Sequence, residues 1–359
     1  MCGIAGFVGS GTRDDLLRMT RQLADRGPDD EGYWEADGVH LGHRRLSILD
    51  LEGGAQPMCS ADGNQIIVFN GEIYNFAELR KELEAAGHKF RTDHSDTEVL
   101  LAAHAVWGDA MVNRLNGMWA FVIYDKTMGR LFGSRDRFGK KPFYYHHSPS
   151  RNLFVFASEL DALLQHPDVP RDISAAAVRK YFAYGYIPAP LTINAGSCKL
   201  PGGHSLSFDL RSGQFRVWRY WEYQPAPEEG VPLGRRVEEL RELLRAAVRR
   251  RMVADVPLGI FLSGGIDSSL VAALAASELP RGDLQTFSIG FDDASYDELP
   301  YAAEVARSIG SVHRTETLSL SAARELLPQI YSGLDEPNGD SSLLPTFLLS
   351  KFTRRRVTV

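Results

Sequence analysis

The spacing of apolar residues changes character near residue 224. Upstream, short runs of branched and aromatic residues follow one another with few helical stretches between them. Ile4 to Val8 predicts a strand, and residues 12–25 (TRDDLLRMTRQLAD) set Leu16, Leu17, Met19 and Leu23 roughly on one helical face. Residues 38–47 alternate and predict a strand hairpin, while 66–69 (IIVF) predict a buried strand that runs into NGEIYN at 70–75. Helices are expected over 76–86, ending at Gly87, and over 97–106, with Ser95 as the cap. Further strands are expected at 117–124, 130–133, 142–146 and 153–157. Strands that succeed one another without helical crossovers predict antiparallel sheets, and two groups of them with helices outside predict a four-layer sandwich.

Downstream the period lengthens. Residues 199–210 predict a turn and strand, and the aromatic stretch 216–223 could pack between domains. Residues 224–234 (QPAPEEGVPLG) hold three prolines and two glycines and form the best linker candidate. An amphipathic helix over 235–253 is followed by an apolar strand at 256–262, the turn SGGIDSS, and a helix to Ser277. Strands at 285–291 and 313–318 with a loop and helix over 294–310 continue a βαβ progression, which predicts a parallel sheet with helices on both faces. The loop at 335–342 precedes a helix at 343–354 and is placed near an acceptor substrate.

Composition narrows the partners more than the fold. The 359 residues suit two domains, and a net charge of −6 with no long single-sign block argues against nucleic acid. The three cysteines, Cys2, Cys59 and Cys198, lie far apart and have no zinc-site spacing, which fits a reducing compartment. No signal-peptide pattern and no apolar run of about 18 residues is found, so a cytoplasmic protein without a membrane partner is expected.

Two stretches carry chemistry. Removal of Met1 would leave Cys2 with a free α-amine beside its thiol, groups that titrate near ~8 and ~8.5, so that one residue holds both nucleophile and base. Alone, a cysteine so placed is more often a small buried residue. Asn70-Gly71 at a strand end reads normally as a hairpin turn, and a glycine N–H beside an asparagine amide is also a ready pair of oxyanion donors. Asp96 suits a helix N-terminus or a substrate ammonium. In the second half, a strand, Ser263-Gly264-Gly265-Ile266-Asp267-Ser268-Ser269 and a helix form an anion site: backbone N–H groups and serine hydroxyls face a phosphate, and Asp267 can hold Mg2+. The spacing and lysine of a Walker loop are absent.

MCGIAG, RGPDDEG (26–32), HRRLSILD (43–50), NGEIYN (70–75), SDTEVL (95–100), GMWAFVIYD (117–125) and SRDRFGKKPFYY (134–145) together resemble the N-terminal-nucleophile glutaminase domain of class II glutamine amidotransferases. The resemblance implies an αββα sandwich in which Cys2 forms a glutamyl thioester and Asn70 and Gly71 make the oxyanion hole. It also implies that Arg45 holds the substrate α-carboxylate, that Glu72 and Asp96 hold its α-ammonium, and that backbone at Ile48 and Leu49 lines the pocket. Asp25 stands where family members often have histidine. SGGIDSS resembles the pyrophosphate loop of PP-loop ATP pyrophosphatases, which implies an α/β parallel-sheet fold, ATP bound by Leu262, Ser263, Gly264, Gly265, Asp267, Ser268 and Ser269, and adenine met by backbone at Leu262 and Ile289.

Both modules together resemble glutamine-dependent asparagine synthetases, with a glutaminase domain at 2–210, a linker at 211–234 and part of a synthetase domain at 235–359. The implied partners are glutamine, ATP and aspartate, with Mg2+ and a homodimer as the candidate assembly. Ammonia freed at Cys2 would travel through the protein, shielded from protonation, and displace AMP from an adenylated carboxylate. The strand-like end at 354–359 stops before a second acidic and glycine-rich loop of that family, so a fragment or truncated gene is expected, with the glutaminase site complete and the synthetase site half present. The alternatives are amidation of another carboxylate acceptor, a free-standing glutaminase, or a catalytically dead scaffold. The intact Cys2, Asn70, Asp96 and SGGIDSS set argues against the last, and Cys2 also argues against the branch that closes β-lactam rings. SGGIDSS sets the chain apart from phosphoribosyl and sugar-isomerase amidotransferases.

Overall fold

The computed structural model describes residues 1–292, 297–318 and 320–359. The loop expected from residue 294 falls largely outside the described residues. The chain divides into two compact units, one of Met1–Gln224 with Asp335–Asn338 and one of Pro225–Leu334 with Gly339–Val359.

The strands of the first unit are β1 (Gly3–Val8), β2 (Asp30–Ala36), β3 (Val39–Arg45), β4 (Met58–Cys59), β5 (Gln65–Ile73), β6 (Gly117–Asp125), β7 (Arg130–Arg135), β8 (Tyr144–Ser148), β9 (Leu153–Ala157), β10 (Cys198–Lys199), β11 (His204–Asp209) and β12 (Phe215–Arg219). Its helices are α1 (Arg13–Gln22), α2 (Phe76–Ala85), α3 (Asp96–Trp107), α4 (Leu160–Leu163) and α5 (Ala175–Tyr184). The strands form two six-stranded sheets, ordered β10-β8-β9-β1-β3-β2 and β12-β11-β7-β6-β5-β4. Neighbouring strands in both run antiparallel, as in β1 with β3 and β9 and in β5 with β6.

Alternation along each strand sorts its side chains into separate apolar layers, because successive residues point to opposite faces. In β5, Ile66 and Val68 face the other sheet, where they join Ile4, Leu41, Val122, Phe154 and Phe156. Ile67 and Phe69 turn the other way onto Leu79 and Leu83 of α2 and Val99 and Leu100 of α3. In β1, Ala5 and Phe7 meet Leu16 and Met19 of α1 and Leu160 of α4. Three apolar layers between four layers of structure make the αββα sandwich expected of this half.

Local signals fix several boundaries. Thr12 caps α1 with a capping box closed by Asp15, and the Ser95 hydroxyl accepts the Glu98 N–H at the start of α3. The hairpin differs from the one expected within 38–47: that stretch is a single strand, β3, whose partner is β2 at 30–36 across the turn Asp37-Gly38. Asp30 and Glu31 open β2 in a stretch whose polar residues read as a turn. Helix α5 was not expected either, because its aromatic residues Phe182 and Tyr184 are exposed and leave no buried stripe.

The second unit holds α6 (Leu233–Arg251), β13 (Gly259–Phe261), α7 (Ile266–Ser277), β14 (Gln285–Phe291), α8 (Leu299–Ile309), β15 (Val312–Leu318), α9 (Leu320–Ser332) and α10 (Leu343–Thr353). Its strands pair in parallel in the order β13-β14-β15, as the βαβ pattern predicts. Helix α9 is a further element outside the sequence expectation, and it carries Pro328 inside its span. The apolar cluster here is small: Leu262, Ala272, Ala302 and Ala306, with Ile260, Val305 and Ile309 at its margin.

Candidate active site

Cys2 immediately precedes β1, the strand paired on one side with β3 and on the other with β9. Its thiol lies 3.7 Å from the carbonyl oxygen of Leu46. Burial raises the thiol pKa, opposed by the Leu46 contact and by the nearby N-terminus and Lys141. Arg26 fixes the main chain from the other side, with its Nε donating to the Cys2 carbonyl at 3.0 Å and its Nη1 paired with Glu159 at 3.1 Å.

Asn70 and Gly71 do not form a hairpin turn. Both lie within β5, opposite Ala120 and Trp119 of β6. Asn70 is fully buried, and neither its Oδ1 nor its Nδ2 has a hydrogen-bond partner among the described residues. A buried amide without partners costs on the order of 1–3 kcal/mol. It therefore points to a ligand atom that is meant to arrive there. Gly71 has no room for a side chain, since a Cβ would sit 2.2 Å from the Met118 carbonyl oxygen and 2.8 Å from the Trp119 Cα.

The cleft beside them is lined by Cys2, Arg45, Ile48, Leu49, Gln56, Gly71, Glu72 and Asp96, among others. Gln56 was not anticipated: its Oε1 accepts the Phe69 N–H at 2.6 Å and its Nε2 reaches Thr97 at 3.4 Å, so it ties β5 to α3 under the cleft. Only its position before Pro57 and the strand Met58-Cys59 hinted at it, and that signal does not separate it from any loop glutamine. Arg45 is buried and donates to the carbonyls of Leu51 at 2.9 Å, Asp50 at 2.6 Å and Leu49 at 3.4 Å. The cleft is narrow and open to solvent on one side, with about 30 Å3 of water-accessible space.

Two carboxyl groups close one end of the cleft. Asp96 opens α3 and accepts the Ile73 N–H at 3.0 Å, while Glu72 stands in β5 next to Gly71. Burial and the proximity of Asp96 push the Glu72 carboxyl up to about 8, against the opposing charges of Lys141 and the N-terminus. Burial pushes Asp96 up to about 6 in spite of its backbone hydrogen bonds. Two carboxyls at one cleft, Asp96 buried and Glu72 half-buried, resist ionising together unless a positive charge arrives between them.

In the second unit the SGGIDSS loop lies at the carboxyl end of β13, where ligands bind in open parallel sheets. Gly264 has φ +84° and packs against Tyr301 and Ala302, a conformation and an approach that exclude a side chain. Gly265 is the N-cap of α7. The Ser263 and Ser268 hydroxyls bond each other at 2.9 Å, and Ser263 Oγ accepts the Gly265 N–H at 3.2 Å. Ser269 Oγ is buried without a partner among the described residues. Leu262 is buried and donates its N–H to the Phe287 carbonyl of β14, two residues before Ile289. Asp267 is exposed in the first turn of α7. Among the described residues no three His, Cys, Asp or Glu groups gather as a metal cage. A Mg2+ that bridges nucleotide phosphates needs one or two carboxylates, so Asp267 suits the ion only together with the phosphates themselves.

The Asp335-Glu336 stretch belongs with the first unit. Asp335 accepts the N–H groups of Leu160 at 2.7 Å and Asp161 at 3.2 Å, and Glu336 accepts the Ile193 N–H at 2.8 Å and pairs with Lys199.

Residues 1–221 match the glutamine amidotransferase domain family and residues 239–359 the asparagine synthase family. A Methanocaldococcus jannaschii protein provisionally named glutamine-hydrolysing asparagine synthetase 2 is 38% identical over all of this chain and 73% of its own length. Glutamine-hydrolysing asparagine synthetase 1 of Bacillus subtilis is 36% identical over all of this chain and 57% of its own length. Synthetase 3 of the same bacterium is 36% identical over 96% of this chain and 59% of its own length. The chain thus spans between about half and three quarters of the relatives it matches. No helix among the described residues is long and apolar enough to cross a membrane.

Proposed function

The chain belongs to the glutamine-hydrolysing asparagine synthetase family, and we propose that its first unit frees ammonia from glutamine at Cys2 for ATP-dependent amidation of aspartate to asparagine. The observation that carries the first half is the fully buried Asn70 amide, without a hydrogen-bond partner, in the strand that supplies Gly71 and Glu72 to the Cys2 cleft.

In this reading the Cys2 thiolate attacks the γ-amide carbon of glutamine. The oxyanion that forms is held by Asn70 Nδ2 and the Gly71 N–H. Ammonia leaves with a proton from the Cys2 α-amine once Met1 is removed, and water then cleaves the thioester to glutamate. Glu72 and Asp96 ionise together around the α-ammonium of the substrate. Arg45 exchanges the loop carbonyls at 49–51 for the α-carboxylate, so that entry of the amino acid and loosening of the loop are one event.

The second half rests on family membership and on the loop at 263–269. The aspartate side-chain carboxylate attacks the α-phosphorus of ATP and pyrophosphate leaves. Ammonia then attacks the acyl carbon and displaces AMP. The loop N–H groups and the Ser263, Ser268 and Ser269 hydroxyls would hold the pyrophosphate, Leu262 and Ile289 would meet adenine through their backbone, and Asp267 would hold Mg2+, which supplies charge neutralisation on the phosphates. Residues 2–210 are assigned to the glutaminase, 211–234 to the linker and 235–359 to the part of the ATP site within this chain.

One incubation tests both halves: glutamine, ATP, Mg2+ and aspartate, with glutamate and AMP quantified together. Glutamate with aspartate-dependent AMP is the expected result. Glutamate without AMP would reduce the reading to a glutaminase, and AMP dependent on a different carboxylate would change the acceptor.

A further inference from the structure

Lys141 lies outside every role assigned above. It sits in the turn between β7 and β8, and its side chain is only 5% exposed. No hydrogen bond or ion pair of its ammonium is found among the described residues, whereas its main chain is held on both sides. Its N–H donates to Asp136 Oδ2 at 2.9 Å, and its carbonyl accepts Arg135 Nε at 2.6 Å. Asp136 also accepts the N–H groups of Phe138, Lys140 and Trp119, at 3.2, 2.9 and 3.3 Å. Trp119 is the cross-strand partner of Gly71, the neighbour of Glu72. The turn is therefore fastened to the strand pair that carries the cleft, and it holds a buried cation there.

A lysine set this deep, with only a sliver of solvent for its ammonium, is harder to keep charged, and a rigid turn that holds it in place calls for a charge that it serves. The groups that face it electrostatically are Glu72 first, then Arg26, Cys2 and Asp136. Glu72 in turn faces Asp96, Lys141 and the N-terminus. Arg26 already pairs with Glu159, and Asp136 is occupied by its four N–H donors. Glu72 is the carboxyl that Lys141 bears on most, ahead of the Cys2 thiol and Asp136.

We propose that Lys141 is a positioning residue of the glutaminase site, the fixed counter-charge that allows Glu72 to ionise when the α-ammonium of glutamine enters beside Asp96. The inference rests on the glutaminase reading. It adds that substrate capture depends on a cation that does not line the cleft. Loss of that cation makes ionisation of Glu72 harder, so the acid limb of the glutamine profile must move to higher pH.

The test compares the full chain with Lys141→Met and Lys141→Arg. For Lys141→Met, the acid limb of kcat/KM for glutamine is expected to move up by about one pH unit, with KM at neutral pH raised about tenfold and kcat changed far less. Lys141→Arg is expected to restore the profile. An unmoved limb overturns the proposal. So does a loss confined to kcat with slower alkylation of Cys2 by iodoacetamide, because the ammonium would then serve the thiol. If Lys141→Met fails to fold, the melting temperatures of Lys141→Gln alone and with Glu72→Gln decide. A smaller loss in the Glu72→Gln background supports the pairing, and equal losses overturn it. If the wild-type chain hydrolyses no glutamine, the glutaminase reading fails on its own. The 13C-carboxyl titration of Glu72, identified by Glu72→Gln, then still decides the pairing by whether it moves on loss of Lys141.

Discussion

The two units of this chain hold their candidate sites in opposite ways. In the first, three apolar layers stand around the site, and its polar groups are set deep: the Asn70 amide buried without a partner among the described residues, Asp96 buried and held by the Ile73 N–H, and Glu72 half-buried beside it. In the second, the loop at 263–269 is largely exposed, and two of its three serines, Ser263 and Ser268, bond each other at 2.9 Å. Its apolar cluster is small, and α6 leaves Leu240 and Leu243 more than half exposed. The difference is one of preorganisation. The first site has met most of its electrostatic cost in folding, so a ligand relieves strain there. The second has the Ser263 and Ser268 hydroxyls engaged with each other, so a nucleotide bound there as proposed would exchange that hydrogen bond for its own.

The comparison breaks most sharply at the nucleophile. Cys2→Ala is expected to lower glutamine hydrolysis by at least about 10^4-fold while nucleotide binding by the second unit stays unchanged. Residual hydrolysis at wild-type rate, read as glutamate release, would remove Cys2 from the mechanism. Asn70→Ala should lower kcat by about 10^2- to 10^3-fold with little change in KM, if the buried amide serves the oxyanion rather than the ground state. Asp267→Ala should remove Mg2+-dependent AMP formation and leave glutamate release intact, the mirror image of the Cys2 result.

A smaller effect sharpens the idea of stored cost. Glu72 and Asp96 bind protons more tightly in the folded chain than in an unfolded one, with values raised to about 8 and about 6. Folding therefore takes up protons, and both groups subtract from stability as pH rises from the ordinary carboxylate range through those values. Glu72→Gln should then raise the melting temperature near pH 8 by a few degrees, and the gain should vanish near pH 4, although the same change weakens glutamine binding. Smallest of all, Leu243→Ser on the exposed face of α6 should alter stability by only about 0.5 kcal/mol.

Legibility in the sequence followed the same divide. The alternation in IIVF and GMWAFVIYD revealed both the strands and their two buried faces, because period two survives wherever a strand lies between apolar layers. Ser95, Asp96 and the Asn70-Gly71 pair were readable because motif and position coincide. Arg45 was legible as a residue but not in its present bonding, since its carbonyl partners at 49–51 lie in a loop with no periodic signal. The β2 strand was lost because Asp30 and Glu31 look like a turn until β3 pairs with them. Nothing in GKKPFYY says which of two adjacent lysines is buried; Asp136 holds the N–H groups of both, and only the folded turn buries Lys141. α5 was missed because its aromatic residues are left in the open.

The place of β1 has a consequence for the birth of the protein. The Ile4 N–H donates to Ser158 Oγ, a partner 154 residues further along, and the strand is flanked on both sides only when β9 arrives. A ribosome makes the thiol among the first residues and the wall that houses it much later. Throughout that interval Cys2 is an ordinary accessible thiol on a nascent chain, without Asn70 and Gly71 beside it. On the proposed mechanism hydrolysis can begin only when the sheet closes, and a half-made chain then spends no glutamine.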